Sequence, residues 1–194
     1  MLDAALEHNP GVRKLQSAAA GALFKIGLSA NVATTLAAIT GVASGIAFGR
    51  GATLAGIAML ALSAGFDALD GAIAREYATP TLLGGVFDLC SDRVVEVAVI
   101  LGIVWNHPAL DFYALFLVAS WYINITVFLA VGAALERTGP KLIEYPPGIL
   151  ERTEALIFFV VLALIESSHY LFWLGPLMCL AMTALEILTG LQRF

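Results

Sequence analysis

Residues 67–92 read DALDGAIAREYATPTLLGGVFDLCSD, and they lie between two apolar runs. Asp67 and Asp70 are three residues apart, Asp88 and Asp92 four apart. On a helix, either spacing places both carboxylates of a pair on one face. Asp67, Asp70, Gly71 and Ala74 fall within an arc of about 100°. Thr79-Pro80-Thr81 punctuates the stretch as a turn, so the second apolar run returns beside the first. Asp67 stands about as far before that turn as Asp88 stands after it. The two carboxylate pairs are therefore expected to meet at similar depth.

The flanks set this hairpin in a membrane. Of 194 residues, 60% are hydrophobic and only 13% charged, and the mean hydropathy is +0.89. An ordinary soluble domain carries roughly 25% charged residues to cover its surface. The composition excludes a disordered, collagen-like or coiled-coil chain and points to an integral membrane protein of all-α class. A net charge of −5 speaks against a nucleic-acid partner, which selects a basic face. Cys90 and Cys179 are too few for a disulfide framework and lack metal-ligand spacing. Both lie in apolar runs and are expected to be small, buried, reduced thiols. Residues 1–14 are polar and the first apolar run has no cleavage pattern after it, so that run is expected to be a span rather than a secretory leader.

Six segments have the length and apolarity of a span of about 20 residues: 28–49, 53–74, 82–105, 112–135, 150–166 and 170–190. Arg50-Gly51, Asn106-His107-Pro108 and Ser167-Ser168-His169 make short turns, and 136–149 forms the longest loop. Short connections join antiparallel neighbours, so the expected fold is six transmembrane helices in a compact bundle. Before it, Val12, Leu15, Ala19, Leu23 and Ile26 make a helical stripe with Arg13, Lys14 and Lys25 nearby. This reads as an amphipathic surface helix within an N-terminal segment, 1–27, ahead of a catalytic domain, 28–194. With the N-terminus inside, Arg13, Lys14, Lys25, Arg75, Arg137, Lys141, Arg152 and Arg193 face the cytoplasm and only Arg50 lies clearly outside. The positive-inside rule thus puts both termini, and the aspartates, on the cytoplasmic side. Gly41, Gly45 and Gly49 line one face of the first span and predict close helix packing.

Charged groups inside a membrane are costly and normally mark function. Four neighbouring carboxylates repel and favour protonation unless a cation joins them. An all-oxygen ligand set suits Mg²⁺, Mn²⁺ or Ca²⁺, and two such ions can clamp a phosphoryl transfer. Gly71 and Ala74 leave room beside the carboxylates, and Arg75 and Arg93 can neutralise phosphate.

The pattern Asp67-x2-Asp70-Gly71-x2-Ala74-Arg75-x8-Gly84-x3-Asp88-x3-Asp92 resembles the signature of the CDP-alcohol phosphotransferase family at all eight fixed positions. Ser29-Ala30-Asn31-Val32-Ala33-Thr34 also resembles the family's Pro-Asn-x-x-Thr start to the first span, with Ala30 where Pro is usual. The resemblance implies a six-helix membrane fold with an N-terminal surface helix. It also implies transfer of a phosphatidyl or related group from a CDP-activated lipid to an alcohol, with release of CMP. By the same resemblance Asp67, Asp70 and Asp88 are ligands to Mg²⁺ or Mn²⁺, and Asp92 is a ligand, the general base or both. Gly71 and Arg75 would meet the cytidine diphosphate, with Asn31 and Thr81 as further contacts, and a homodimer is implied.

Arg137, Lys141 and Arg152 are expected at the inner ends of spans four and five, where they would hold a phosphate on the acceptor. Such an acceptor is glycerol 3-phosphate or inositol phosphate; the positive-inside rule alone accounts for the same residues. Glu96 is expected to pair with Arg93 three residues away. His107 and His169 are expected to be solvated in outer turns. Two other functions fit intramembrane aspartates: a divalent-cation transporter, or a catalytically dead assembly subunit. A transporter needs polar residues across the whole bilayer, but the outer halves of spans two and three are apolar. Decay is opposed by the intact signature.

Overall fold

The structure, a computed structural model, describes residues 9–77, 81–135, 152–168 and 170–192, the side chains of 134 and 135 excepted. The described residues form seven α-helices and no strand. They fall into two compact units, one up to Asn106 and one from His107 onward.

In the first unit, α1 (Pro10–Lys25) starts where the Asn9 side chain accepts from the amides of Gly11 and Val12 with Pro10 at the first turn. This is a sequence-encoded N-cap. It stops before Gly27, whose φ of +88° only glycine adopts cheaply. Ser29 caps α2 (Ala30–Gly49), and Gly51, at φ +72°, turns the chain into α3 (Thr53–Glu76). α4 (Leu82–Asn106) follows. Buried Ala20 of α1 packs with Ala33 of α2 and Ala72 and Ile73 of α3, so α1 is docked on the two helices rather than loose beside them.

α2 lies against both α3 and α4. Toward α3, Ser44 Oγ donates to the Gly56 carbonyl at 2.8 Å and Ser63 Oγ donates to the Ala37 carbonyl at 2.7 Å. Toward α4, the glycine stripe acts as expected. A Cβ at Gly45 would come within 2.2 Å of the Ala98 carbonyl oxygen, and one at Gly102 within 1.9 Å of the Gly45 carbonyl oxygen. The backbones touch there without side chains between them.

The second unit opens with a 3₁₀ turn, Pro108–Leu110, and contains α5 (Asp111–Leu135), α6 (Arg152–Glu166) and α7 (Leu174–Gln192). α7 packs on both α5 and α6. The Asn124 amide of α5 donates to Glu186 Oε2 of α7, a polar clasp between the two helices.

Among the described residues, four helical stretches are long and apolar enough to cross a membrane: Ala30–Gly49, Thr53–Glu76, Pro108–Ala133 and Leu174–Gln192. These mark an all-α integral membrane protein. Two of the six expected spans fall short on those terms. α4 has the length, at 25 residues, but carries Asp88, Asp92, Arg93 and Glu96. α6 has 15 residues, a rise of about 22 Å against a hydrocarbon core of about 30 Å.

Two further expectations are corrected. Cys179 is buried, but Cys90 is exposed. It shares a face of α4 with Leu83, Val86, Val94, Val97 and Leu101, all exposed, because an outward face of a membrane helix is as apolar as its core face. His107 is not a solvated turn residue: its Nδ1 lies 3.6 Å from Glu166 Oε2 and its side chain is 24% exposed. Burial pushes its imidazole below the ordinary value.

Candidate metal centre and nucleotide site

α3 carries Asp67 and Asp70 on one face, and α4 brings Asp88 to them. Each of the three offers a carboxylate oxygen, and these oxygens lie within 4.8 Å of one another. Asp70 is 6% exposed, and Thr34 Oγ1 of α2 donates to its Oδ2 at 2.6 Å. Thr34 is itself 4% exposed. One oxygen of Asp70 is thus oriented by a buried hydroxyl from a third helix. Asp88 Oδ1 is buried and has no hydrogen-bond partner. A buried carboxylate oxygen without a donor is costly, and a hard cation removes that cost. The trio therefore fits a divalent ion bound through oxygen. Asp92, half-buried, stands one turn further along α4 on the same face as Asp88 and is not part of the converging trio.

Gly71 and Arg75 are adjacent on α3. A Cβ at Gly71 would lie 3.1 Å from Arg75 Nη1 and 3.6 Å from its Cζ, so the guanidinium rests over the glycine, one residue from Asp70. Asn31 and Thr81 meet at Gly84: a Cβ there would lie 3.0 Å from Thr81 Oγ1 and 3.7 Å from Asn31 Oδ1. Thr81 Oγ1 accepts from the Gly84 amide at 3.0 Å, which caps the start of α4. Both side chains are exposed at this end of the unit. Arg93 Nη2 pairs with Glu96 Oε1 at 2.7 Å, the i,i+3 pair read from the sequence.

Arg152 is the first residue of α6 and is partly exposed. Arg137 and Lys141, its expected companions, lie outside the described residues, as does His169. The role of Thr34 was not anticipated. Its signal was a threonine in the Asn31-x-x-Thr34 string, one helical turn after a residue already suspected of ligand contact.

Residues 28–188 match the family model for CDP-alcohol phosphatidyltransferase. A phosphatidylinositol phosphate synthase of Mycobacterium tuberculosis is 29% identical over 182 residues, covering 88% of this chain and 80% of that one. An archaetidylinositol phosphate synthase of Methanothermobacter thermautotrophicus is 30% identical over 171 residues, covering 87% of this chain and 83% of that one. The crystal structure of the M. tuberculosis phosphatidylinositol phosphate synthase with CDP-DAG bound aligns at a TM-score of 0.72 and 25% identity, covering 93% of this chain and 92% of that one. A crystal structure of the same synthase in complex with manganese and citrate shares the fold at a TM-score of 0.75 and 24% identity, covering 92% of this chain and 86% of that one. The aspartate signature and a match through most of the chain's length agree: the protein belongs to the CDP-alcohol phosphatidyltransferase family, membrane enzymes that transfer a phosphatidyl or related group from a CDP-activated lipid to an alcohol.

Proposed function

We propose that this chain is a metal-dependent phosphatidyltransferase whose acceptor already carries a phosphate, with inositol phosphate the leading candidate and glycerol 3-phosphate the second. The observation that carries the catalytic part is the convergence of Asp67, Asp70 and Asp88 with Asp88 Oδ1 left without a donor. Asp67, Asp70 and Asp88, with Asp92 as a further ligand, would hold two ions, Mg²⁺ or Mn²⁺, which when bound neutralise charge on the pyrophosphate. Thr34 fixes the orientation of Asp70. Gly71 leaves space for the cytidine diphosphate, and the Arg75 guanidinium donates to its phosphate oxygens. Asn31 and Thr81, which approach each other at Gly84, would add contacts to the nucleotide. Asp92 takes the proton of the acceptor hydroxyl as its oxygen attacks the lipid-side phosphorus. One P–O bond forms to the acceptor, the pyrophosphate P–O bond breaks, and CMP leaves.

The acceptor assignment draws support from two directions. Arg137, Lys141 and Arg152 stand in the sequence at or between the ends of two predicted spans, where they would gather at a phosphate. The similar proteins from M. tuberculosis and M. thermautotrophicus are both inositol phosphate-type synthases by name. In the same reading the chain spans the bilayer six times over 28–194. α4 crosses with its charges toward the inner half, α1 lies at the inner surface, both termini are cytoplasmic, and two chains pair. The test is CMP release by purified protein from a CDP-lipid with Mg²⁺ or Mn²⁺ and a panel of alcohols. Release that depends on metal and on a phosphorylated acceptor supports the proposal. Cation flux without CMP release would replace it with transport.

A further inference from the structure

α1 and the end of α3 line a shallow, open cleft of about 760 Å³ that none of the aspartates borders. Its charged and polar lining is Arg13, Lys14, Ser17 and Lys25 from α1 with Glu76 and Tyr77 from the end of α3. The cleft is built rather than accidental. Gly21 lets the Tyr77 ring lie on α1, since a Cβ there would come within 2.6 Å of the Tyr77 hydroxyl. Phe24 stacks on the same ring at 5.2 Å between centroids and 21° between planes. Ser17 Oγ donates to Glu76 Oε2 at 2.5 Å, which ties the one lining carboxylate among the described residues to the wall. Among the described lining residues, three bases therefore accompany one carboxylate that is already engaged, an excess of positive charge. Arg75, the neighbour of Glu76, folds the other way, over Gly71, so this cleft is separate from the nucleotide site.

We propose that this cleft binds the phosphate headgroup of an anionic membrane phospholipid, seating α1 on the bilayer. A phosphate in the cleft would sit in the combined field of Arg13, Lys14 and Lys25, which span about 18 Å of α1, with the Tyr77 hydroxyl as a further donor. The source is a lipid rather than a free phosphate because α1 carries apolar side chains next to its bases. Leu15 is 73% exposed and Ile26, just past the helix, 78%. Basic and bare apolar groups on one short helix match the interface of a bilayer, where the apolar groups enter the acyl boundary and the bases stay at headgroup level. The binding does not depend on the transferase reading, since none of these residues belongs to the proposed catalytic machinery.

The experiment titrates the full-length protein in detergent, with chelator present so that the aspartates hold no metal, and counts bound lipid by native mass spectrometry. Probes are phosphatidic acid, phosphatidylcholine and inorganic phosphate. Each base near an anionic headgroup contributes about fivefold in affinity. Phosphatidic acid should therefore bind at least about tenfold tighter than phosphatidylcholine, and the Arg13→Gln/Lys14→Gln/Lys25→Gln protein should lose at least that factor. Mn²⁺ binding to the triple variant, measured separately, should match wild type, which certifies the fold. Tyr77→Phe should weaken phosphatidic acid by a few-fold, the share of one hydrogen bond. Equal retention of phosphatidic acid by the triple variant overturns the proposal, as does equal binding of phosphatidylcholine. Displacement of the lipid by millimolar inorganic phosphate would make this a soluble-phosphate site and overturns the lipid assignment.

Discussion

At the scale of single residues, the site divides into groups that hold and one that acts. Asp92→Asn should keep the fold and most of the metal affinity but lose turnover by roughly 10²–10⁴-fold, because an amide cannot accept the hydroxyl proton. CMP release measured beside Mn²⁺ binding checks this, and near-normal release would remove Asp92 from the base role. Asp67→Ala, Asp70→Ala and Asp88→Ala should each abolish turnover through metal loss, and chelated wild type should match them until Mg²⁺ or Mn²⁺ is restored. Full activity in excess chelator is the contrary result. Thr34→Val removes the 2.6 Å bond to Asp70 at almost constant volume and should weaken metal binding without abolishing it. The convergence of Asp67, Asp70 and Asp88 was readable in the sequence because charges in a membrane helix have few structural reasons to exist. Thr34 was harder to find, since a hydroxyl in an apolar helix can always satisfy itself on its own backbone, and Thr34 Oγ1 does also approach the Ala30 carbonyl at 3.1 Å.

At the scale of elements, periodicity and composition gave the helices but not all their partners or surroundings. Caps at Asn9 and Ser29 and turns at Gly27 and Gly51 are local chemistry, set by residues at the helix boundaries they make. Burial is not local. Cys90 lies in an apolar run yet faces outward, and His107 lies in a polar turn yet sits against Glu166, because both outcomes depend on which helix comes alongside. The glycine stripe was legible as a close contact, but only the structure identifies Ala98 and Gly102 as the surface it meets. Gly45→Leu and Gly102→Leu should each force α2 and α4 apart, lowering thermal stability and metal affinity together. Gly85→Ala, where a Cβ meets nothing within 4 Å, is the control, and its melting temperature should stay near wild type. Comparable melting curves for all three variants would contradict the packing account.

At the scale of the whole molecule, the reaction class follows from the family, while the proposed acceptor is tested through the basic residues at the ends of the later predicted spans. Arg152→Ala should raise KM for a phosphorylated acceptor by about tenfold or more, the loss of one charge-assisted contact, and leave metal binding unchanged. An unphosphorylated alcohol should be a poor substrate for either protein. If it serves equally well, the bases are there for topology alone. The carboxylates that must cooperate come from α3 and α4, and α2 lies against both. Where α2 meets α4 at Gly45 and Gly102, backbone rests on backbone, so no rotamer can adjust the gap and no soft layer can be squeezed. The gauge between those helices is set by the van der Waals radii of backbone atoms in contact, and swings in lipid fluidity or lateral pressure have little purchase on it.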